Sequence, residues 1–383
     1  MNNKPIEVMC VFGTRPEATK MGPLIDELRQ AEDFNVKVCV TAQHRDMLDQ
    51  ALGIFNITPD YDLDIMKRGQ SLEDIFTSSL YGLSKVLEHD KPSIVLVHGD
   101  TSTTFAASLA SYYSRIPLGH VEAGLRTFDK YQPFPEEANR RLTAVLADYH
   151  FAPTTSAKKN LQAEGISENS IFVTGNTAVD CLRYTITKDY AFANSQLANL
   201  DISNKRVIAI TAHRRENIGE ALDNILLAIR DIAREQPQAL FVYPVHPNPS
   251  VTNQAQSVLG GEHNVVLTSP LDMSDMHNLM ALSYIVLTDS GGIQEEAPGL
   301  NLPVVVLRNV TERPEGISAG TLLLAGTQRQ SVYSAINNLL TNASLYSTMS
   351  QAKNPFGDGF AARRITQAMR HIFMGSQKPD DFG

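Results

Sequence analysis

The chain has 383 residues, of which 43% are hydrophobic, so it is long enough for two domain-sized cores. Its formal net charge of -9, without any lysine or arginine tract, excludes a general attraction to nucleic acid or anionic lipid. The polar start MNNKP is not typical of a secretory signal, and no apolar run approaches the roughly 18 residues of a membrane-spanning helix. We therefore predict a cytoplasmic protein without a nucleic-acid or membrane partner.

The cysteines and histidines do not indicate a metal or disulfide protein. Cys10, Cys39 and Cys181 form no CxxC pair, and we predict that they are reduced thiols in the core. No histidine or cysteine has the spacing of metal ligands, and neither HExxH nor an EF-hand pattern occurs. We expect no metal and no cofactor.

Apolar runs alternate with helical segments along the chain. The runs are EVMCVFG, VKVCVTA, SIVLVHG, IPLGHVE, RVIAITA, LFVYPVH, NVVLTSP, YIVLTDS and PVVVLRN, with helical spacing at 20–30, 101–114, 219–236 and 361–374. This alternation predicts an α/β fold with parallel sheets covered by helices on both faces. A long polar, helical stretch at 174–204 interrupts the strands and marks a domain junction.

We therefore predict two Rossmann-like domains facing across a cleft. The first comprises residues 1–173 and 358–383, because the last helix is expected to cross back to it, and the second comprises residues 174–357. Ligands of such folds bind at the carboxyl ends of the strands. Polar residues that follow the predicted strands are therefore the candidates for function.

In the first half, Arg15 and Lys20 follow the glycine turn after the first strand. Their spacing suits contact with a diphosphate, but ordinary surface cations at a helix start would have the same pattern. The chain has neither the GxGxxG nor the Walker fingerprint.

Three further positions of the first half carry acids. Asp100 is a candidate for proton transfer, or alternatively the N-cap of the helix that follows it. Glu122 lies in a glycine loop with Arg126 in reach as a partner. Glu136 and Glu137 stand at a helix start, where the helix dipole alone would explain them, although one of them could face the cleft.

In the second half, the segment IVLTDSGGIQEEA joins a strand to a helix through Ser290, Gly291 and Gly292. Glycines at such a turn let backbone N–H groups approach a phosphate, whereas carboxylates such as Glu296 would rather accept hydrogen bonds from sugar hydroxyls. A nucleotide with a ribose satisfies both features. His213 precedes two arginines that could neutralise a pyrophosphate or form a salt-bridged loop, and His246 is held between prolines.

Eight segments in this order, FGTRPEATK, VHGDTSTT, GHVEAGLRT, PEEANRR, TAHRREN, YPVHPNP, TDSGGIQEEAP and TERPEG, strongly resemble the non-hydrolysing UDP-N-acetylglucosamine 2-epimerases. The resemblance extends from about Val8 to the last helix. It implies a two-domain fold of the GT-B type and reversible conversion of UDP-N-acetylglucosamine to UDP-N-acetylmannosamine without a redox cofactor. It also implies elimination of UDP to 2-acetamidoglucal, followed by re-addition, and a role in supplying cell-surface polysaccharide.

The resemblance also implies roles for single residues. The catalytic set is Asp100, Glu122, Glu136 and His213, with the base and the reprotonating acid not separable from sequence. The substrate-binding set is Arg15, Lys20, Ser290, Gly291, Gly292, Glu296, Arg313 and Met276, with Met276 where members often place an aromatic residue near uracil.

Bacterial members also have a regulatory site for UDP-N-acetylglucosamine, which Gln43, His44, Gln70, Arg214 and His246 match or nearly match. The resemblance thus implies that the substrate also acts as an activator, and that the protein forms a homodimer. Alternatives are a hydrolysing relative that releases UDP and free N-acetylmannosamine, a GT-B glycosyltransferase, and a UDP-sugar sensor without catalysis.

Overall fold

The computed structural model describes residues 4–42, 45–67, 69–202 and 204–383. Contacts divide the chain into a first unit, Met1–Tyr184 with Gly357–Gly383, and a second unit, Thr185–Phe356. Each unit has one parallel sheet with helices between successive strands. The prediction of an α/β chain with two Rossmann-like domains is confirmed.

The strands of the first unit are β1 (Ile6–Phe12), β2 (Phe34–Val40), β3 (Tyr61–Asp62), β4 (Ile94–His98), β5 (Leu118–Val121), β6 (Tyr149–Ala152) and β7 (Ile171–Val173). They pair in the order β3-β2-β1-β4-β5-β6-β7. The strands of the second unit are β8 (Arg206–Thr211), β9 (Ala239–Pro244), β10 (Val265–Thr268), β11 (Ser283–Thr288), β12 (Val304–Val306) and β13 (Leu322–Leu324). They pair in the order β10-β9-β8-β11-β12-β13.

The helices of the first part of the chain are α1 (Arg15–Arg29), α2 (Arg45–Ile54), α3 (Leu72–Asp90), α4 (Ser102–Ser114), α5 (Glu136–Leu146), α6 (Thr155–Ala163) and α7 (Thr177–Thr185). They are followed by α8 (Ser195–Ala198), α9 (Glu220–Glu235), α10 (Pro249–Leu259), α11 (Met273–Ala281), α12 (Gly291–Glu296), α13 (Pro314–Ala319), α14 (Arg329–Thr341), α15 (Ala343–Gln351) and α16 (Ala361–Met374).

Both faces of the second sheet are buried. Ile208 and Ile210 of β8 belong to one apolar cluster, whereas Val207 and Ala209 of the same strand belong to another. Because successive side chains of a strand point to opposite faces, the two clusters cover the two sides of the sheet. This explains why the strands appear in the sequence as continuous apolar runs rather than as an alternating pattern.

All nine predicted runs form strands, but β3, β6, β7 and β13 were not predicted. These four are strands of two to four residues, a length that the predicted strands β5, β10 and β12 share. The three cysteines are free and buried, as predicted. Within the described ranges, no helix has the length and apolar character needed to cross a membrane.

The last helix, α16, packs against α1 of the first unit, so the predicted crossing back is confirmed. The buried Asp180 of α7 accepts hydrogen bonds from the N–H groups of Ala361 (3.1 Å) and Ala362 (2.8 Å) at the start of α16. Because α7 holds α16 in this way, its contacts assign α7 to the first unit as far as Tyr184. The division of contacts therefore lies one helix later than the junction that the sequence indicated after residue 173.

We expect Asp180→Ala to lower the free energy of unfolding by about 2 to 4 kcal/mol, because two buried N–H groups lose their carboxylate acceptor. Asp180→Asn is the matched control, since its amide oxygen can still accept one of the two hydrogen bonds. Urea unfolding followed by circular dichroism measures both variants. Equal stability of Asp180→Ala and the wild type would contradict this role.

Candidate functional site

A buried carboxylate fixes the first loop of the first unit. Glu17, 2% exposed, accepts hydrogen bonds from the N–H groups of Gly13 (3.1 Å) and Thr14 (2.9 Å). Its other oxygen accepts from the hydroxyls of Thr101 (2.7 Å) and Thr104 (3.1 Å). Burial raises the pKa of Glu17, and these donors oppose that effect. The turn after β1 is thereby tied to the turn after β4.

Gly13 is required by close approach within this turn. A Cβ at this position would lie 2.1 Å from Thr41 Oγ1 and 2.5 Å from Thr103 Oγ1. Any larger residue would therefore move one of the neighbouring loops. The glycine in the motif FGTRPE thus permits packing.

Lys20 and Glu122 form an ion pair at the carboxyl edge of the sheet. Glu122 also accepts a hydrogen bond from Asn176 Nδ2 (2.9 Å), and His98 Nε2 lies 3.7 Å from the same carboxylate oxygen. Burial alone would raise the pKa of Glu122, but Lys20 and His98 outweigh it and hold this pKa well below its usual range. Glu122 is therefore ionised at neutral pH.

The backbone of Glu122 is unusual for a residue with a side chain. Its φ of 63° lies in the left-handed region, which residues other than glycine seldom adopt. Such conformations persist only where the surroundings fix them, and they are concentrated at functional sites. The contacts of the carboxylate with Lys20 and Asn176 supply that constraint here.

Asp100 follows β4 and forms an ion pair with Arg140 of α5. Its backbone carbonyl accepts a hydrogen bond from Asn139 Nδ2 (3.0 Å). The alternative interpretation of Asp100 as the N-cap of α4 is wrong. Thr101 is the cap, since its hydroxyl accepts from the Thr104 N–H at 3.1 Å. The carboxylate of Asp100 instead pairs with Arg140.

The adjacent acids Glu136 and Glu137 in the first turn of α5 have different surroundings. The fully buried Glu137 accepts hydrogen bonds from the N–H groups of Thr127 (3.1 Å) and Phe128 (3.2 Å), so it holds the preceding loop. Glu136 Oε2 is buried and has no hydrogen-bond partner among the described residues. Of the two acids, Glu136 is the one available to a ligand.

Two cations of the first unit differ from what the sequence indicated. Arg126 was expected near Glu122, but it forms a bidentate pair with Glu164 at 2.9 and 2.7 Å. That expectation is wrong, because Lys20 of α1 occupies the position beside Glu122. Arg15, at the start of α1, is partly exposed and makes no ion pair with a described residue.

A second buried carboxylate fixes the first loop of the second unit. Asp289 follows β11 and accepts hydrogen bonds from the N–H groups of His213 (2.7 Å) and Arg214 (2.8 Å). Asn217 Nδ2 donates a third hydrogen bond to the same oxygen at 3.1 Å. The other oxygen lies 3.6 Å from His213 Nδ1. Asp289 therefore fixes the loop, and its other oxygen faces the imidazole of His213 without a hydrogen bond to a described residue.

His213 stacks on His246, with ring centroids 5.3 Å apart and planes 7° from parallel. Burial lowers the pKa of His213, Asp289 opposes this, and His246 and Arg214 lower the pKa further. The Asn248 N–H donates to His246 Nδ1 at 3.1 Å, a hydrogen bond that holds the ring within its own loop. The exposed edge of this ring keeps its other nitrogen available.

Two arginines lie above the glycine turn after β11. A Cβ at Gly291 would lie 3.7 Å from Arg313 Nη2 and 3.8 Å from Arg214 Nη2. Arg313 is held by an ion pair with Glu295, which is 2% exposed. Two guanidinium groups beside the backbone of a glycine turn form a site suited to a phosphate group. Ser290 precedes this turn, and its hydroxyl does not cap the helix.

Glu296 and Met276 border the same region of the second unit. A Cβ at Gly292 would be 3.6 Å from Glu296 Oε1, so the absence of a side chain there leaves this oxygen open. Glu296 Oε2 lies 3.3 Å from His277 Nε2. Met276 is partly buried against the apolar cluster that contains Leu279.

The residues predicted for regulation are only partly described. Gln43 and His44 lie outside the described residues. Gln70 Oε1 accepts a hydrogen bond from the Lys67 N–H at 2.7 Å, which holds its own loop. Arg214 follows His213 in the sequence, and the ring of His246 stacks on that of His213.

The first unit thus brings together Lys20, Glu122, Asp100 and Arg140, with Glu136 one turn before Arg140 on α5. The second brings together His213, Arg214, Gly291 and Arg313. Sequence reasoning assigned no role to Glu17, Arg140, Asp289 or His277. Glu17, Arg140 and Asp289 lie inside the quoted segments and His277 lies outside them, but the contacts that give these residues a role are not visible in the sequence. Within the described ranges, no group of three or more His, Cys, Asp or Glu side chains could hold a metal ion.

Comparison with known proteins gives concordant results. The family model described as UDP-N-acetylglucosamine 2-epimerase matches residues 26–370. The UDP-N-acetylglucosamine 2-epimerase of Bacillus subtilis is 51% identical over 380 residues, which cover 99% of each chain. A Staphylococcus aureus MnaA–UDP structure is 48% identical with a TM-score of 0.88, covering 99% of this chain and 100% of that one. The Neisseria meningitidis UDP-GlcNAc 2-epimerase bound to UDP-GlcNAc is 48% identical with a TM-score of 0.83, covering 95% and 99%.

Three buried histidines on neighbouring strands lead us to expect that acid lowers the stability of the first unit. Burial is the main cause that lowers the pKa of His98 to about 4, of His120 to about 3 and of His150 to about 4. The unfolded chain therefore takes up protons first on acidification. These histidines do not lower the free energy of unfolding above about pH 6.5. Below that pH they lower it, by roughly 3 kcal/mol per histidine as the pH approaches 4.

Urea unfolding at pH 7, 6 and 5 measures this dependence. In His150→Gln, we expect the free energy of unfolding to fall less steeply below pH 6.5, because one of the three protonation sites is removed. The slope of the free energy of unfolding against pH can be compared between the variant and the wild type even if their stabilities at pH 7 differ. Identical slopes in the variant and the wild type would contradict the assignment.

Proposed function

Because the chain belongs to the UDP-N-acetylglucosamine 2-epimerase family, we propose that it interconverts UDP-N-acetylglucosamine and UDP-N-acetylmannosamine without net hydrolysis. The observation that carries this proposal is the group of three acids at one sheet edge, Asp100, Glu122 and Glu136, of which two are paired with cations. The guanidinium groups beside Gly291 supply the matching nucleotide-binding groups in the second unit.

The proposed reaction begins at C1 of the sugar. A proton on C2 is too weakly acidic for a carboxylate base unless the C1–O bond breaks first, so stabilisation of the leaving group must lead. The bonding electrons of C1–O leave with UDP, a carboxylate takes the C2 proton, and the electrons of C2–H form the C1=C2 bond of 2-acetamidoglucal. Re-addition of UDP at C1 and delivery of a proton to the other face of C2 complete the inversion.

The charge on departing UDP is proposed to be met by Arg214, Arg313 and His213. The two guanidinium groups offer several N–H donors to phosphate oxygens, and the ion pair with Glu295 keeps Arg313 oriented. Asp289 holds His213 in place, as its contacts with the loop support. Arg15 and Lys20 of the first unit are proposed to add positive charge, with Ser290 and Gly292 binding phosphate, Glu296 the ribose and Met276 the base.

The proton transfers are assigned to the acids of the first unit. Lys20 keeps the Glu122 carboxylate ionised, and Arg140 fixes Asp100. Glu136 has no cationic partner among the described residues, and its buried Oε2 lacks a hydrogen bond, so this oxygen is not committed to another group of the protein. We propose that Asp100 and Glu136 transfer protons and that Glu122 orients Lys20 and the sugar.

We also propose that UDP-N-acetylglucosamine activates the enzyme through a second site to which Gln70, Arg214 and His246 contribute, and that the protein functions as a homodimer. The product is proposed to supply N-acetylmannosamine units for cell-surface polysaccharide. Family membership supports these three proposals.

Proton NMR with UDP-N-acetylglucosamine in deuterated water tests the proposed reaction. We expect UDP-N-acetylmannosamine with deuterium at C2 and no accumulation of free sugar. Asp100→Asn and Glu136→Gln should each slow this exchange by about 10²- to 10⁴-fold, the usual range for loss of a general acid or base. Both should still bind UDP.

Glu168→Gln is the control, because Glu168 pairs with Lys158 at 3.0 Å on the surface of the first unit. It should exchange at the wild-type rate. Release of free N-acetylmannosamine with UDP would instead assign the protein to hydrolysing enzymes. Binding without any exchange would favour a sensor, and exchange at the wild-type rate in Asp100→Asn would remove that residue from the mechanism.

Arg313→Met should weaken UDP binding about 10- to 100-fold, because a charge-assisted contact with phosphate is lost. Uridine lacks phosphate, so its weaker binding should change little. Isothermal titration calorimetry with both ligands measures the difference. Arg329→Met, which breaks a pair with Asp231 on the surface of the second unit, is the matched control. An equal loss of affinity for uridine would argue against a phosphate contact.

A further inference from the structure

A buried histidine in α11 connects Glu296 to the start of the second unit. His277 is 3% exposed, and its Nδ1 lies 2.7 Å from the hydroxyl oxygen of Thr185. Its Nε2 lies 3.3 Å from Glu296 Oε2. Both ring nitrogens thus face oxygen atoms of the same unit.

The partners determine the direction of these hydrogen bonds. An ionised carboxylate accepts but does not donate, so a hydrogen on Nε2 is the group that suits the contact with Glu296 Oε2 at 3.3 Å. With the hydrogen on Nε2 and none on Nδ1, Nδ1 is the acceptor and the hydroxyl of Thr185 donates to it. The result is a chain of donors from Thr185 through His277 to Glu296.

This chain leaves one side of the Glu296 carboxylate open. The side chain is 20% exposed, and Oε1 lies beside Gly292, where no side chain covers it. Each carboxylate oxygen can accept more than one hydrogen bond, so a donor on Oε2 fixes the plane of the group without saturating it. A carboxylate held in one plane is pre-arranged for two adjacent hydroxyl groups.

We propose that His277 is a positioning residue that holds Glu296 for the 2′- and 3′-hydroxyls of the ribose and makes the site discriminate against deoxyribose. The inference rests on the proposed binding of UDP by this unit. A site that directs a fixed acceptor at a hydroxyl rejects an analogue lacking it, because the buried acceptor is left without a donor.

His277 is not required merely to attach α11 to the neighbouring chain. Asn278 does that independently, since its Nδ2 donates to the Thr185 carbonyl at 2.7 Å and its Oδ1 accepts from the Thr187 N–H at 3.2 Å. Asn278→Asp therefore provides a matched control. It disturbs the same attachment and should leave the preference for ribose unchanged.

The test is calorimetric binding of UDP and 2′-deoxy-UDP to the full chain. We expect the wild type to bind UDP about ten-fold more tightly than 2′-deoxy-UDP. In His277→Asn, the new amide nitrogen falls near the position of Nδ1. The variant therefore has no donor at the position of Nε2, beside Glu296. UDP should then bind about ten-fold more weakly, and the ratio of the two affinities should approach one.

His277→Gln places its amide nitrogen near the position of Nε2 and should restore most of the ratio. Thr185→Val removes the hydroxyl that donates to Nδ1 and should lower the ratio of the two affinities partly. This variant replaces His277→Asn in the test if His277→Asn does not fold. In the combination of His277→Asn with Glu296→Gln, the ratio should be no lower than in Glu296→Gln alone, because the two residues act through one contact.

A wild-type ratio that persists in both His277→Asn and Thr185→Val would overturn the positioning role. A wild type that binds UDP but shows no preference over 2′-deoxy-UDP would also overturn it. A wild type that binds neither ligand would instead reject the proposed function on which the inference rests. Unfolding temperatures of all variants separate loss of stability from loss of discrimination.

Discussion

Buried carboxylates that accept backbone N–H groups set the geometry of both units. A turn that leaves a parallel strand exposes N–H groups that neither the sheet nor the following helix can satisfy, and each must find an acceptor. Glu17 provides it after β1, and Asp289 provides it for the turn after β8. Because each carboxylate also contacts a second loop or side chain, it fixes two neighbouring turns together. The positions of the candidate catalytic and phosphate-binding groups depend on these contacts.

The second constraint is charge compensation within a chain that is acidic overall. Lys20 with Glu122, Arg140 with Asp100 and Arg313 with Glu295 each combine a cation with a poorly exposed acid. Such pairs are not strong evidence for stability, because removing both charges from water is costly. Their value here lies in orientation, since fixed dipoles and charges need not reorganise when charge develops during a reaction. The ion pairs therefore belong to the arrangement of the site.

The fold was predictable because each long strand has its own apolar run and each is followed by a helix. The strands β3, β6, β7 and β13 escaped prediction, and their length of two to four residues does not explain this alone, because β5, β10 and β12 have three or four residues and were predicted. The candidate acids were also predictable, since Asp100 and Glu122 follow strands directly. Their partners were not. Arg126 was nearer to Glu122 in sequence than Lys20, but the parallel order β1-β4-β5 brings α1 to Glu122 across 102 residues. The same limitation applies to His277, whose importance depends on contacts with residues far along the chain.

The return of the chain to the first unit has a consequence for the order of its folding. Residues Gly357–Gly383 belong to the first unit, and α16 covers α1. On a ribosome the N-terminal sheet is made first, but it must wait for the last helix before its surface is covered. The second unit, by contrast, is continuous in sequence and can complete its contacts while synthesis is still in progress. The unit that begins the chain is thus the last to be finished, and it remains exposed to chaperones and proteases for longer than its neighbour.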